Sequence, residues 1–191
     1  MISKLELDES VLRVLIEQRR FRTNFGLYKG SSLADFAVLD TELTLIETKS
    51  DADTVKRLPE QERHYSQIGD RCVLVTGPRL FEKAAKLVPD WWGLEVAREE
   101  AGFVFLEERR PAKRNPSINP VWLAKLLWKN ELQEILRATP AGMRRLSGAC
   151  SHDLAVELTK RLSLDGLRER VRHALMHRVG DAKFIRSGGA A

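Results

Sequence analysis

Residues 43–53 read LTLIETKSDAD, and the run just before them, residues 34–40, reads ADFAVLD. In an extended strand side chains alternate faces, so Leu43, Leu45, Glu47 and Lys49 share one face while Thr44, Ile46 and Thr48 share the other. A carboxylate and an ammonium therefore sit side by side at the end of an otherwise apolar strand. Burying such groups costs several kcal/mol unless they pair or hold a metal, so a strand that only filled a core would not carry them. Asp35 is the natural third member, because the Asp-Thr-Glu at 40–42 signals a turn, and a hairpin there brings Asp35 back towards Glu47. Two carboxylates with the Thr48 carbonyl make an oxygen site of the kind Mg²⁺ or Mn²⁺ accepts while keeping several waters. Lys49 at the same spot can position or deprotonate a water, or neutralise charge on a phosphate.

The next segment reads KSDADTVKRLPEQERHYSQIGD. Leu58, Gln61, Tyr65 and Ile68 follow at steps of three, four and three, which places them on one helix stripe facing the sheet. Gln61 is then a polar residue turned inward, and a buried amide needs partners, for which the Asp35–Glu47 site is nearest.

Asp35 followed by Glu47-Thr48-Lys49 resembles the D…E-x-K core of the PD-(D/E)XK nuclease superfamily. Gln61-x-x-x-Tyr65 resembles the Q-x-x-x-Y motif of its RecB- and Cas4-like members. The whole pattern of K-S-D-x-D-T, R-L, Q and Y is similar to a group of small, mostly uncharacterised bacterial and phage-borne members. With Leu126-Leu127-Trp128 and Glu131-Leu132 the resemblance extends from about Leu12 to Arg178. It implies a restriction-endonuclease-like α/β fold, a mixed central sheet flanked by helices. It also implies metal-dependent hydrolysis of phosphodiester bonds, with DNA as the expected substrate. Asp35, Glu47, Lys49, Gln61 and Tyr65 would be the catalytic set, and Asp35, Glu47 and the Thr48 carbonyl would hold Mg²⁺ or Mn²⁺. Relatives often place an extra acid upstream, for which Glu17 and then Glu9 are the candidates. A further Glu expected in the strand near residues 24–32 is not there. Phage defence, repair and mobile-element maintenance are the settings the resemblance suggests, and a homodimer is one arrangement open to it.

The 191 residues carry 32 basic and 27 acidic side chains, a formal charge of +5, which suits a polyanionic partner. At 43% hydrophobic and 31% charged the composition is that of a folded soluble domain. No apolar run has the length of a membrane span and the N-terminus lacks a secretory pattern, so the expected location is the cytoplasm, with no membrane partner. The spacing of Cys72 and Cys150 fits neither a disulfide framework nor a zinc site.

In chain order, Asp8 or Ser10 is expected to cap a first helix carrying Val11, Leu12, Leu15 and Ile16, ended by Arg19, Arg20 and Arg22. A short edge strand around Leu27 and Tyr28 follows. Residues 71–76, RCVLVT, read as a strand buried on both faces, residues 80–87 as a helix, and 93–97 and 103–107 as two more strands. A nuclease-like core is thus expected over residues 1–108. Residues 109–120, with Arg109, Arg110, Lys113 and Arg114 among prolines, read as a basic linker that could track phosphates, as could Arg57. Residues 121–180 read as a small helical C-terminal subdomain with one helix over 121–137, and 181–191 as a disordered tail. Two other readings stay open: a nucleic-acid-binding or regulatory module that keeps the fold but cuts weakly, and a plain α/β protein in which Glu47 and Lys49 form a structural ion pair.

Overall fold

The computed structural model of the chain describes residues 1–16, 21–27, 32–143, 146 and 148–178. It is a mixed α/β protein in two compact units, Met1–Ser117 and Ile118–Gly180. In the first unit the strands β1 (Phe21–Leu27), β2 (Ser32–Leu39), β3 (Leu43–Lys49), β4 (Arg71–Thr76), β5 (Gly93–Glu100) and β6 (Phe103–Arg110) form one sheet in sequence order. The turn at residues 40–42 closes an antiparallel hairpin with Phe36 opposite Ile46 and Leu39 opposite Leu43. The apolar runs of β3, β4 and β5 pair in parallel at the centre, where both faces are covered.

Helix α1 (Lys4–Ile16) lays Leu7, Val11 and Leu15 on the face formed by Phe36, Val38, Ile46, Val75 and Val104. It starts earlier than Asp8 or Ser10. The signal is Ser3-Lys4-Leu5-Glu6, a capping box in which the Ser3 N–H donates to Glu6 Oε2 at 2.8 Å and the Glu6 N–H to Ser3 Oγ at 3.3 Å. On the other side α2 (Leu58–Ser66) buries Leu58 and Tyr65, and α3 (Phe81–Ala85) packs against β4. Trp92 is buried with its ring stacked on Tyr65 at 5.8 Å, a packing role.

Three expectations change here. Arg22 lies in β1, a full strand that pairs with β2 from Phe21 to Leu27, because Phe21, Phe25 and Leu27 alternate inward and favour a strand over a longer helix. Tyr28, Arg19 and Arg20 lie outside the described residues. Strands β5 and β6 run to Glu100 and from Phe103, closed by a two-residue turn in which Ala101 and Gly102 have φ of 50° and 79°. The stretch expected as a linker is largely part of the first unit: Arg109 and Arg110 end β6, the Lys113 N–H donates to Trp91 O at 2.8 Å, and the Asn115 N–H to Asp70 O at 2.8 Å.

The second unit consists of α4 (Pro120–Ala124), α5 (Lys129–Arg137), α6 (Ser151–Arg161) and α7 (Leu164–His177). The single helix expected over 121–137 is two, because Trp128 is extended and its N–H donates to Glu131 Oε2 at 2.6 Å, starting a new helix. The same carboxylate takes Arg178 bidentately at 2.8 and 2.6 Å, and the guanidinium lies over the Trp128 ring at 4.4 Å. Residues 181–191 fall outside the described residues, and among those described no helix is long and apolar enough to cross a membrane.

Arg178 and Glu131 are nearly buried, at 7% and 14% side-chain exposure. Arg178→Met therefore strands a carboxylate, and urea unfolding should show a loss of about 3 kcal/mol. At the β5–β6 turn, Ala101→Gly removes a left-handed strain and should raise stability by roughly 0.5–1 kcal/mol.

Candidate active site

The site forms where two strands part. β2 stops pairing with β3 after Phe36 and Ile46, yet continues along β1 as far as Ser32 opposite Leu27. The next residues along the two diverging strands are Asp35 and Glu47. The Asp35 carboxylate fills the opening: its Oδ2 accepts the Thr48 N–H at 2.8 Å, replacing the lost ladder bond, and lies 2.8 Å from both Thr48 Oγ1 and Lys4 Nζ. Alternation along β3 then divides the polar groups, with Thr48 turned towards α1 and Glu47 and Lys49 towards α2.

On the α1 side, Lys4 Nζ donates to Asp35 Oδ2, to the Thr48 carbonyl at 2.9 Å and to Thr48 Oγ1. Asp8, one turn along the helix, stands 3.4 Å from the ammonium and 2.7 Å from Thr48 Oγ1. On the α2 side the Glu47 and Lys49 side chains are 2% and 6% exposed and paired. Glu47 Oε1 also accepts from Gln61 Nε2 at 2.6 Å, and its Oε2 accepts from the Tyr65 hydroxyl. That pins the Gln61 amide so that its buried Oε1 has no partner, and the buried Thr76 hydroxyl, beside Lys49 in the β3–β4 register, has none either. Two unspent polar atoms thus border the Glu47–Lys49 pair.

Three carboxylates face two ammoniums, which leaves one formal negative charge in a poorly solvated place. Its effect is visible in the acids. Burial, then the Asp35 charge, pushes the Glu47 carboxyl above the usual range, against the pull of Lys49 and Tyr65. Burial also raises Asp8, opposed by the Thr48 hydroxyl and Lys4. For Lys4 burial works downward, but Asp35, Asp8 and Glu47 outweigh it and its pKa is raised. The Tyr65 phenol is pushed well above its ordinary value by burial and then by Glu47, so it stays a donor.

The donors suit a hard cation in part. Among the described residues no three His, Cys, Asp or Glu side chains assemble as a metal-holding set. Asp35 and the Thr48 carbonyl do converge on one cation, the Lys4 ammonium, with Asp8 beside it, whereas Glu47 is engaged by Lys49, Gln61 and Tyr65. A Mg²⁺ or Mn²⁺ ion there would be held by Asp35, the Thr48 carbonyl and Asp8, completing its shell with water, the manner Mg²⁺ prefers.

Of the residues the sequence reading grouped, Glu47, Lys49, Gln61 and Tyr65 meet on the α2 side, whereas Asp35 and Thr48 meet Lys4 on the α1 side. The expected sharing of one ion by Asp35 and Glu47 thus gives way to two clusters, because the Asp35 carboxylate turns to the Thr48 amide. The sequence reading missed Lys4 and Asp8, which the Ser3–Glu6 capping box could have placed on one face, four residues apart. Glu9 is exposed on α1 and stands apart from the site, and Glu17 lies outside the described residues. Asp51 and Asp53 are structural. Asp51 takes the Ile2 and Arg79 N–H groups at 3.1 and 3.0 Å, a Cβ at Gly77 would collide with its side chain, and Asp53 Oδ2 accepts the Ser50 N–H at 2.8 Å.

The basic strip is placed far from this opening. Arg71, at the start of β4, donates to Ala112 O, and Arg114 approaches Glu42 at 3.6 Å, whereas Lys49 and Thr76 end β3 and β4. Five residue steps along β4 separate the two ends, about 16 Å. Arg110 is moreover spent on Trp92 O and Pro89 O at 2.8 and 2.9 Å, and Arg109 pairs with Glu107 at 3.1 Å. Lys113 is exposed at that far end. The exposed cations in the loops leaving β3 and β4 beside the opening are Lys56, Arg57 and Arg79.

A family model described as Bacteriophage P4 protein cII matches residues 10–187. No curated protein and no solved structure matches the chain.

Lys49→Met leaves the Glu47 carboxylate buried without its ammonium, and should cost about 3 kcal/mol at pH 7. The raised Glu47 takes up its proton more readily folded than unfolded, so acidification relieves that loss. Unfolding curves should show a smaller deficit at pH 5 than at pH 7, and the double variant Glu47→Gln, Lys49→Met should recover most of it at pH 7.

Proposed function

Since the chain belongs to the bacteriophage P4 protein cII family, we propose that this site makes it a nuclease of the PD-(D/E)XK kind, dependent on Mg²⁺ or Mn²⁺ and acting on phosphodiester bonds, with DNA as substrate. The observation that carries the reading is the pair of diverging strands, with Asp35 in the gap and the buried Glu47–Lys49 pair held by Gln61 and Tyr65. Groups so costly to bury are retained where they work on a ligand.

The roles divide by position. Asp35, the Thr48 carbonyl and Asp8 would hold the cation, which when bound would supply Lewis-acid stabilisation of charge on the phosphate. Glu47 fixes Lys49, whose ammonium would meet a phosphate oxygen only at the carboxyl end of β3, where that strand ends. Gln61 steadies the Glu47 carboxylate through its Nε2. Tyr65 keeps the Glu47 carboxylate in place from below. Substrate comes to the carboxyl ends of the parallel strands β3 and β4, where open α/β sheets bind their ligands, and meets Lys56, Arg57 and Arg79.

A second reading, a nucleic-acid-binding or regulatory module that cuts weakly, is favoured by one feature: two lysines already answer most of the carboxylate charge. One experiment separates the two. Purified protein is incubated with plasmid, linear duplex and single strands in Mg²⁺ or Mn²⁺. The nuclease reading expects cleavage, lowered on the order of a thousandfold by Glu47→Ala. Intact nucleic acid with binding retained would establish the second reading in its place. In salt-dependent binding, Arg57→Ala and Arg79→Ala should each reduce the slope of log K against log salt by about one, while Arg109→Ala and Lys113→Ala leave it unchanged.

A further inference from the structure

Lys4 sits where a cation joining Asp35 to the Thr48 carbonyl would sit. An ammonium has three protons to donate, and the three oxygens nearest Lys4 Nζ are Asp35 Oδ2, Thr48 O and Thr48 Oγ1, with Asp8 Oδ1 completing an oxygen-only surround. This is the chemistry of a hard-metal shell with nitrogen at its centre. Two positive charges could not occupy this space together.

We infer that Lys4 is a tethered occupant of the metal position: its ammonium and the divalent cation alternate on the oxygens of Asp35, Thr48 and Asp8, and the ion binds only as Lys4 swings out. The inference rests on the reading of this opening as a divalent-metal site and adds how its loading is controlled.

The two lysines of the site differ in their freedom to leave. Lys49 is 6% exposed and locked against Glu47 on the inner face. The Lys4 side chain is 40% exposed and belongs to the first turn of α1, so rotation about its own side-chain bonds carries the charge into water. That turn is held by the Ser3–Glu6 capping box and by the Ile2 N–H on Asp51, none of which uses the Lys4 side chain, so the helix stays in place. A half-exposed ion pair is cheap to break, whereas the charges it leaves are not cheap to strand without a replacement. Lys4 thus answers one of the carboxylate charges at the opening, opposes weakly held ions, and once displaced becomes one more cation beside an incoming phosphate.

The test uses the full chain and reads metal binding directly. Mn²⁺ is titrated into wild type, Lys4→Met and Lys4→Arg, with free Mn²⁺ followed by electron paramagnetic resonance and the melting temperature recorded alongside. Lys4→Met should bind Mn²⁺ at least tenfold more tightly than wild type and gain more in melting temperature from it. Lys4→Arg, which keeps the charge, should bind no more tightly than wild type. Lys4→Gln, a neutral side chain that can still donate to Asp35, should behave as Lys4→Met does and serves if the latter fails to fold. Equal or weaker binding by both neutral variants overturns the inference and leaves the metal-site reading standing. Absence of Mn²⁺ binding at millimolar concentration in every form overturns both.

Discussion

An acid and a base two residues apart on a buried strand impose a condition on everything near them. Glu47 and Lys49 reach the interior only because each has the other, and Glu47 has Gln61 and Tyr65 as well. Meeting that condition fixes α2 in its rotation, since Gln61 and Tyr65 must point at one carboxylate from successive turns. It also fixes Trp92, which stacks on Tyr65 and hydrogen-bonds to Ser66 at 3.2 Å. The opening between β2 and β3 obeys the same logic from the other face. A ladder bond given up at Thr48 is recovered by the side chain of Asp35, so the Thr48 N–H keeps a partner across the break in pairing.

Much of this was readable before any coordinates. Period-two alternation placed Glu47 and Lys49 together, the turn at 40–42 brought Asp35 opposite, and the spacing of Gln61 and Tyr65 aimed both at the same point. Each of these is a local rule acting over a few residues. The misreadings came where distant contacts decide. Nothing within residues 109–114 says that Arg110 is consumed by the carbonyls of Pro89 and Trp92, or that Ala112 lies against Arg71. A run of cations looks alike in sequence whether it faces solvent, a phosphate or a carbonyl cage. Lys4 and Asp8 escape for a different reason: with the helix expected to start at Asp8 or Ser10, Lys4 falls ahead of it and Asp8 is spent as its cap, whereas α1 begins at Lys4.

The motif residues also separate into kinds that sequence alone does not distinguish. In K-S-D-x-D-T the lysine pairs with the buried Glu47, whereas Asp51 and Asp53 serve backbone amides and hold the loop that leaves β3. Glu131 and Arg178 are similar in the second unit, where a bidentate pair beneath the Trp128 ring ties the end of α7 to the start of α5. A resemblance carried by such residues is carried partly by scaffolding. That is why it speaks more directly to architecture than to reaction.

Asp51 joins three parts of the chain: it receives the amide of Ile2, and beyond Gly77 the amide of Arg79, while its own N–H returns to the Ile2 carbonyl at 3.2 Å. The first residues are therefore riveted to the rim of the opening, although Met1 itself is 73% exposed. One carboxylate thus ties the start of α1 to the loops that leave β3 and β4, so a change at Asp51 would loosen the seat of Lys4 beside Asp35 without touching any strand.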